Sequence, residues 1–345
     1  MKRRLLTLVA LMIAVILVVA ACAPGNGQAP AQDPAPAPPA AADPAPADEP
    51  ADAPADPGAD QQVFLFGYTS MTQLNPFFVI LESSMREVIE EAGHQMITMN
   101  PAMDQELQIN QIEDLIVQGI DLMFLNAVDW EGIAPSLFAL TNAGIPIVNF
   151  DAEVYDIHMV DIFVGSDNFN AGYVVGVDLV ERLPEGGPIA ILDAPAFASV
   201  RDRVDGFMAA IEGHPFDVVF QMNAFGDLEV AQGIAEDLLI AHPNVVAIFG
   251  GNDPSALGAY AAVLAAGRDD IFIYGVDGSP DAKAAMAAGG PFVGSGAQSP
   301  ISIGRLSAEY AIRIMAGESV PDRVPVPTFI INQENVHDFG VEGWQ

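Results

Sequence analysis

Cysteine and basic residues are scarce in this sequence. Cys22 is the only cysteine in 345 residues, which rules out an internal disulfide and a cysteine nucleophile in the body of the chain. Lysine and arginine together number 12 against 46 aspartates and glutamates, which gives a formal net charge of −34. Such an acidic chain repels phosphate backbones, which argues against nucleic acid as a partner.

Sequence signatures of common catalytic sites are also missing. No H-E-x-x-H, G-x-S-x-G or G-x-x-x-x-G-K motif occurs, and the five histidines are scattered along the chain. We therefore expect a protein that is not an enzyme and that uses neither a metal nor a cofactor. Two carboxylates, Asp151 and Asp277, leave glycoside hydrolysis as an alternative that turnover of glycosides would reveal.

The first 60 residues have the composition of a targeting region. Basic residues at 2–4 precede an apolar run at 5–21, as in a secretion signal. The alternative is that this run is not cleaved and remains as a short membrane anchor. The residues before Cys22 resemble the lipobox of bacterial lipoproteins, which implies a signal peptide at 1–21 and lipid attachment at Cys22. Residues 22–60 are rich in alanine, proline and aspartate, which predicts a disordered tether. We expect an extracytoplasmic, membrane-anchored lipoprotein.

Strand-like and helix-like segments alternate through the body of the chain, from about residue 63 to 331. The stretch 105–118 shows the helical period clearly, because its leucines and isoleucines recur three and four residues apart. About ten such repeats predict an α/β fold with doubly wound parallel sheets. Two sheets of about five strands suit the usual size of a domain better than one sheet of ten.

Polar and aromatic side chains follow the predicted strands at the edge where ligands bind in such folds. Amides and carboxylates suit the hydroxyl groups of a sugar-like ring, an arginine donates in a planar fork, and aromatic rings cover the C–H faces. The side chains that follow the predicted strands are Thr69, Met71, Asn75, Phe77, Phe78, Asn126, Asp129, Trp130, Asp151, Arg201, Arg203, Asn223, Phe225, Asn252, Asp253, Asp277 and Gln298.

The adjacent rings of Phe77 and Phe78 project about 100° apart if they lie on a helix. We expect one ring to pack inward and the other to form a wall of a cleft, with Phe225 opposite. An alternative role for Asn75 is to cap a helix that has Pro76 at its first position.

Other candidates also have alternative structural roles. Asp277 alternatively caps the turn that follows it, and Arg201 alternatively pairs with a neighbouring acid. Asp253 is assigned to capping a helix that begins near Ser255, and it is therefore left out of the site.

Short motifs occur in a distinctive order along the body. They are N-P-F-F at 75–78, L-N-A at 125–127, G-S-D-N at 165–168, R-D-R at 201–203, G-N-D at 251–253 and G-V-D-G-S-P-D at 275–281. In this order the chain resembles the ribose-binding family of periplasmic solute receptors over nearly all of residues 63–331. The resemblance implies a type I periplasmic-binding-protein fold, with two doubly wound parallel-sheet lobes joined by a three-strand hinge. It also implies ten candidate ligand-binding residues that contact a sugar, which are Asn75, Phe77, Phe78, Asn126, Asp151, Arg201, Phe225, Asn252, Asp277 and Gln298.

The same resemblance implies how the chain is organised and used. Lobe 1 would comprise residues 61–166 and 298–328, and lobe 2 would comprise residues 167–297 and 329–345. Ligand would close the hinge, and the closed monomer would deliver a neutral sugar or polyol to an ABC permease with its ATPase. A sensor of the same fold, serving a chemoreceptor or histidine kinase, is the alternative.

Three positions depart from the ribose-binding pattern. Ala152 stands where an arginine follows the aspartate, Val276 replaces a phenylalanine, and Met71 replaces a serine. The pocket is therefore expected to be roomier and poorer in donors than one fitted to a pentose. A hexose, a polyol, a glycoside or a furanone signal is expected rather than ribose.

Overall fold

The computed structural model describes residues 62–345, which form two lobes that each contain a six-stranded sheet. The expected signal peptide, tether and lipidated Cys22 lie outside the described residues. The strands are β1 (Leu65–Thr69), β2 (Gln95–Met99), β3 (Leu122–Leu125), β4 (Ile147–Phe150), β5 (Ile162–Ser166), β6 (Gly187–Asp193), β7 (Phe216–Asn223), β8 (Ala247–Gly250), β9 (Phe272–Asp277), β10 (Phe292–Ala297), β11 (Arg323–Val326) and β12 (Phe329–Asn332). The helices are α1 (Pro76–Glu91), α2 (Gln105–Gln118), α3 (Ala134–Ala143), α4 (Asn168–Arg182), α5 (Ala198–Ile211), α6 (Leu228–Ala241), α7 (Asp253–Ala265), α8 (Pro280–Ala288) and α9 (Pro300–Met315).

The first lobe has an all-parallel sheet in the order β11-β5-β4-β3-β1-β2. Helices cover both faces, with α1 and α9 packed together on one and α2 and α3 on the other. Central strand β3, of sequence LMFL, is buried throughout, as expected of a parallel strand covered on both sides.

The second lobe repeats the arrangement in the order β12-β10-β9-β8-β6-β7. Helices α4 and α5 cover one face of this sheet, and α6, α7 and α8 cover the other. Strand β12 runs antiparallel to β10, whereas the other neighbours are parallel. The predicted α/β class with two parallel-sheet lobes is therefore confirmed.

Two strands escaped the sequence prediction. Each sheet has six strands rather than about five, because β11 and β12 add one strand at one edge of each sheet. β11 contains Pro325, which a strand tolerates at an edge because one side of it needs no donor. Strands of four residues at an edge carry too little hydrophobic pattern to be recognised.

The chain passes between the lobes three times, after β5, after β10 and after β11. Two of these crossings are bonded to each other. The Asn170 Nδ2 donates to the carbonyl oxygen of Thr328 at 3.0 Å, and the Thr328 hydroxyl donates to the carbonyl oxygen of Asp167 at 3.1 Å. The crossings after β5 and after β11 are therefore joined, and together with the crossing after β10 they make up the hinge region. None of the helices within residues 62–345 has the length and apolarity needed to cross a membrane.

Candidate functional site

A cavity of about 470 Å³ opens between the carboxyl ends of the two sheets. Its volume falls in the range of small-molecule sites, and parallel sheets place ligands at this edge. The aromatic residues that line it are Phe77, Phe78, Phe197, Phe225 and Trp344. The polar residues among its lining include Asn75, Asp151, Arg203, Asn252, Asp277 and Gln298. Eight of the ten sequence candidates thus lie in one cavity, whereas Asn126 and Arg201 do not line it.

Asp151 is the carboxylate that the first lobe contributes. It follows β4 directly and is 5% exposed. Its Oδ2 accepts from the Asn126 Nδ2 at 3.2 Å, and the Asn126 Oδ1 accepts from the backbone NH of Met71 at 3.2 Å. Asn126 is wholly buried, so it holds Asp151 and the first loop in place from behind the cavity.

Arg203 and Asp277 form the charged pair of the second lobe. An Arg203 Nη1 to Asp277 Oδ1 distance of 3.6 Å joins them, and the Gln298 Nε2 donates to the same carboxylate oxygen at 2.7 Å. Arg203 is held from behind, since its Nε donates to the Asn168 Oδ1 and its Nη1 to the carbonyl oxygen of Gly251. Burial raises the pKa of Asp277 well above its usual range, and the guanidinium of Arg203 opposes that rise.

The assignment of Asp253 to capping the helix near Ser255 is wrong. Asn252 caps that helix, because its Oδ1 accepts from the backbone NH of Ser255 at 3.0 Å. Asp253 is instead fully buried and accepts from the Ser295 hydroxyl and the backbone NH of Ser279, each at 2.7 Å. It therefore fixes the loop that follows β9, and Asp277 is the last residue of that strand.

Arg201 lies outside the cavity and makes a contact between lobes. Its guanidinium carbon stands 4.3 Å from the ring centroid of Trp130, in the first lobe, and its Nη1 donates to the carbonyl oxygen of Pro195. The sequence motif supplied two arginines, and the structure places the second of them, Arg203, at the ligand cavity. In place of the alternative pairing with an acid, Arg201 makes this cation–π contact.

The expected division of roles between Phe77 and Phe78 is not observed. The two rings meet edge to face at 5.5 Å, both are less than 10% exposed, and both line the cavity. Phe77 stays covered because Trp344 packs against it, with ring centroids 5.9 Å apart. Asn75 combines its two proposed roles, since it lines the cavity and its Oδ1 accepts from the backbone NH of Phe77.

Strained backbone is concentrated around the cavity. Among the described residues, five non-glycine residues have positive φ, and four of these line the cavity: Met103, Asp151, Phe225 and Asp277. Phe225 has a φ of 56°, which is unfavourable for a bulky side chain, and 60% of it is exposed. Strain of this kind persists where the surrounding structure enforces it, and it marks functional sites.

Two buried acceptors of the cavity have no partner. The Asp151 Oδ1 and the Gln298 Oε1 are shielded from solvent and accept no hydrogen bond within the described part of the chain. A buried acceptor without a donor costs free energy, which a hydroxyl-bearing solute would recover. Arg203 supplies donors on the other side, so the site suits a solute whose groups both donate and accept. Among residues 62–345, no cluster of three or more metal-ligating side chains is present.

Replacing Asp151 with asparagine should alter how stability depends on pH. Burial raises the pKa of Asp151 to about 6, so the folded protein binds this proton more tightly than the unfolded chain does. The resulting stabilisation is fully present below about pH 4 and is lost as the pH rises through about 6. Relative to the original protein, the free energy of unfolding of Asp151→Asn should therefore rise by about 2 kcal/mol between pH 4 and pH 7.

Urea unfolding at the two pH values measures this change. Asparagine tolerates the φ of 64° at position 151 and retains an oxygen that can accept from Asn126. The matched control is Asp269→Asn, which removes the same charge at an exposed position. Equal pH dependence of the two variants would contradict the role given to burial.

Arg203, Phe197 and Trp344 are among the lining residues that the sequence reasoning did not assign to the site, and of these three only Arg203 had a readable signal. Arg203 lies three residues after Val200 and four before Phe207, on the buried stripe of α5, whereas Arg201 does not. Phe197 and Trp344 lie in irregular segments without a period. Of the three departures from the ribose-binding pattern, Met71 lines the cavity, whereas Ala152 and Val276 are buried outside its lining.

Comparison with known proteins finds a matching domain family and similar solute-binding proteins. Residues 66–319 match the model of a periplasmic binding protein domain. The ribose import binding protein of Escherichia coli is 30% identical over 253 residues, which cover 73% of this chain and 85% of that protein. An ABC transporter solute binding protein from Mycobacterium smegmatis with bound glycerol has a TM-score of 0.78 at 32% identity and covers 82% of this chain and 99% of its own. Another from Bacillus halodurans, with bound myo-inositol, has a TM-score of 0.77 at 26% identity, covering 81% and 98%.

Proposed function

The chain belongs to the periplasmic binding protein domain family, and on that basis we propose that it captures a sugar or sugar-like polyol between its two lobes for ABC transport. The observation that carries the proposal is the cavity itself. It unites five aromatic walls, the unpaired acceptors of Asp151 and Gln298, and the Arg203–Asp277 pair in one site. The relatives named above that bind ribose, glycerol and myo-inositol support a neutral, hydroxyl-rich solute.

Each group has a distinct task in this proposal. Asp151 and Asp277 accept from ligand hydroxyls, and Arg203 donates to ligand oxygens. Asn75, Asn252 and Gln298 donate and accept at the rim of the solute. Phe77, Phe78 and Phe225 cover its C–H faces and keep water from the hydrogen bonds. Asn126 positions Asp151 rather than contacting the solute, and Arg201 is replaced by Arg203 as the site arginine.

Binding would favour the closed arrangement of the lobes. Asp151 belongs to the first lobe and Arg203 to the second, so a solute between them bonds to both only when the lobes approach. A closed lobe pair would be the form that an ABC permease and its ATPase recognise. The solute would leave chemically unchanged, and incubation with glycosides should therefore release no product.

A thermal-shift screen tests the proposal. The panel comprises D-ribose, D-galactose, myo-inositol and glycerol, which differ in ring size and in the number of hydroxyl groups. A ligand present at about 100 times its Kd adds about 2.7 kcal/mol to stability, which should raise the melting temperature by about 5 °C. No shift with any panel member, together with shifts from charged amino acids or nucleotides, would contradict a neutral hydroxylated solute.

We also propose that Cys22 carries a lipid that anchors the protein outside the cytoplasm. The lipobox-like residues before Cys22 and the proline-rich stretch after it support this. Replacing Cys22 with serine should move the protein from the membrane pellet to the soluble extracytoplasmic fraction. Retention of Cys22→Ser in the pellet would favour an uncleaved anchor at residues 5–21 instead.

A further inference from the structure

Residues 340–345, called here the distal segment, run from the second lobe into the ligand cavity. Gln345 anchors the segment, since its Nε2 donates to the carbonyl oxygens of Asp277 at 3.0 Å and Gln298 at 2.5 Å. Both of these residues line the cavity. The distal segment is thus bonded to the backbone of the residues proposed to hold the ligand.

A buried lysine provides a second anchor. Lys283, one of only two lysines in the sequence, has no exposed surface, and its Nζ donates to the carbonyl oxygen of Gly343 at 2.5 Å. The same amino group lies 3.3 Å from the Gln345 Oε1. Burial lowers the pKa of Lys283, and taking an ammonium group out of water is costly unless it is hydrogen-bonded. The desolvated ammonium group of Lys283 therefore holds the distal segment in place.

The backbone beneath the segment leaves room for it. Gly278 has a φ of +70°, and a β-carbon at that position would lie 2.5 Å from the Gln345 Nε2. A side chain at position 278 would consequently displace Gln345. On the other side, the Ser299 hydroxyl donates to the carbonyl oxygen of Gln345 at 2.6 Å. Ser299 lies in the second crossing between the lobes, so the segment is also tied to the hinge region.

These anchors hold the side chain of Trp344 at the cavity. Its ring lines the cavity and packs edge to face against Phe77, which belongs to the first lobe. Lys283 of the second lobe donates to the backbone of the segment at Gly343, and the side chain of Gln345 donates to the carbonyl oxygens of Asp277 in the second lobe and of Gln298 in the crossing after β10. Trp344 therefore forms a wall that spans both lobes, at the place where a solute would have to be enclosed.

We propose that Trp344 contacts the ligand and that the distal segment determines specificity for cyclic solutes. This inference rests on the proposed function and adds to it the class of solute preferred. A tryptophan ring offers a broad apolar face, which matches the contiguous C–H face of a pyranose or a cyclitol. An acyclic polyol presents no such rigid face. Enclosure by Trp344 should thus select for a ring.

Substitution of Trp344 tests the contact. Calorimetric titration with myo-inositol, D-galactose and glycerol should show at least tenfold weaker binding of the cyclic solutes by Trp344→Ala, and less than a threefold change for glycerol. The matched control is Trp130→Phe, which alters the only other tryptophan and lies outside the cavity lining, and which should bind within threefold of the original protein. Unchanged affinity of Trp344→Ala for a cyclic solute that the original protein binds would overturn the inference.

Two further measurements keep the test decisive if Trp344→Ala folds poorly. In Trp130→Phe, Trp344 is the only tryptophan, so a cyclic solute should reduce its quenching by acrylamide. Unaltered quenching on binding would overturn the contact. Lys283→Met keeps the side-chain volume but removes the hydrogen bond that anchors the distal segment. It should weaken the binding of cyclic solutes about tenfold and increase the acrylamide quenching of Trp344 fluorescence in the free protein.

The outcomes separate this inference from the proposed function. If charged amino acids or nucleotides raise the melting temperature of the original protein and no panel solute does, the sugar-binding function fails and the inference fails with it. If a cyclic solute binds the original protein and Trp344→Ala equally well, the function stands and only the role of the distal segment is lost.

Discussion

Arg203→Met should bind the best panel solute at least about 100-fold more weakly than the original protein does, a loss of about 2.7 kcal/mol or more. Arg203 is 4% exposed, and its Nη1 lies 3.6 Å from the Asp277 Oδ1. Methionine retains much of the volume but donates no hydrogen bond. The ligand would lose the donors of the guanidinium group, and the buried carboxylates would lose the positive charge that favours their ionised form.

Arg201→Met is the matched control for this prediction. It removes the same charge two residues away and forfeits only the contact with Trp130 and one bond to the Pro195 carbonyl oxygen. A cation–π contact at an accessible site is worth about 0.5–1 kcal/mol, so affinity should change less than about fivefold. Isothermal titration calorimetry measures both variants, with circular dichroism to verify folding. A larger loss of affinity in Arg201→Met than in Arg203→Met would indicate that Arg201 is the arginine of the site, as first expected from the sequence.

The contrast between the two arginines shows what the sequence could predict. Strand and helix periods were sufficient for the two parallel-sheet lobes, because local patterns of apolar residues determine which faces are buried. The strand-end positions together with the family resemblance gave ten candidates, of which eight line one cavity. The choice between Arg201 and Arg203 depended on the orientation of α5, which the helical period indicates when the whole stripe from Ser199 to Phe207 is considered.

The remaining errors have a common physical origin in contacts between distant segments. Asp253 satisfies groups on the loops after β9 and in β10, which no local rule for helix caps could anticipate. Trp344 reaches Phe77 across more than 260 residues of sequence, and this contact explains why Phe77 is covered. An irregular segment without a period gives no sign of what it will contact.

Close packing of α4 on α5 links the stability of the second lobe to the position of Arg203. A β-carbon at Gly172 would lie 1.8 Å from the carbonyl oxygen of Arg203, and one at Gly206 would lie 1.9 Å from that of Phe169. Such distances are far below van der Waals contact with backbone atoms, which cannot rotate away. The two glycines therefore set the distance between the helices, and through it the depth at which Arg203 enters the cavity.

Gly172→Ala should accordingly destabilise the protein by about 3 kcal/mol, the upper range for overpacking a filled interior, although alanine favours a helix more than glycine does. The control is Gly233→Ala in α6, where a new β-carbon would meet no atom within 4 Å. That variant should gain about 0.5–1 kcal/mol, because only helix propensity changes. Urea unfolding measures the free energy of unfolding of both variants. Calorimetry should show weaker solute binding for Gly172→Ala but not for Gly233→Ala, because in Gly172→Ala helix α5 must move away from α4 and carry Arg203 with it. If Gly172→Ala were as stable as Gly233→Ala, the two helices would be free to separate, and their contact would not be what positions Arg203.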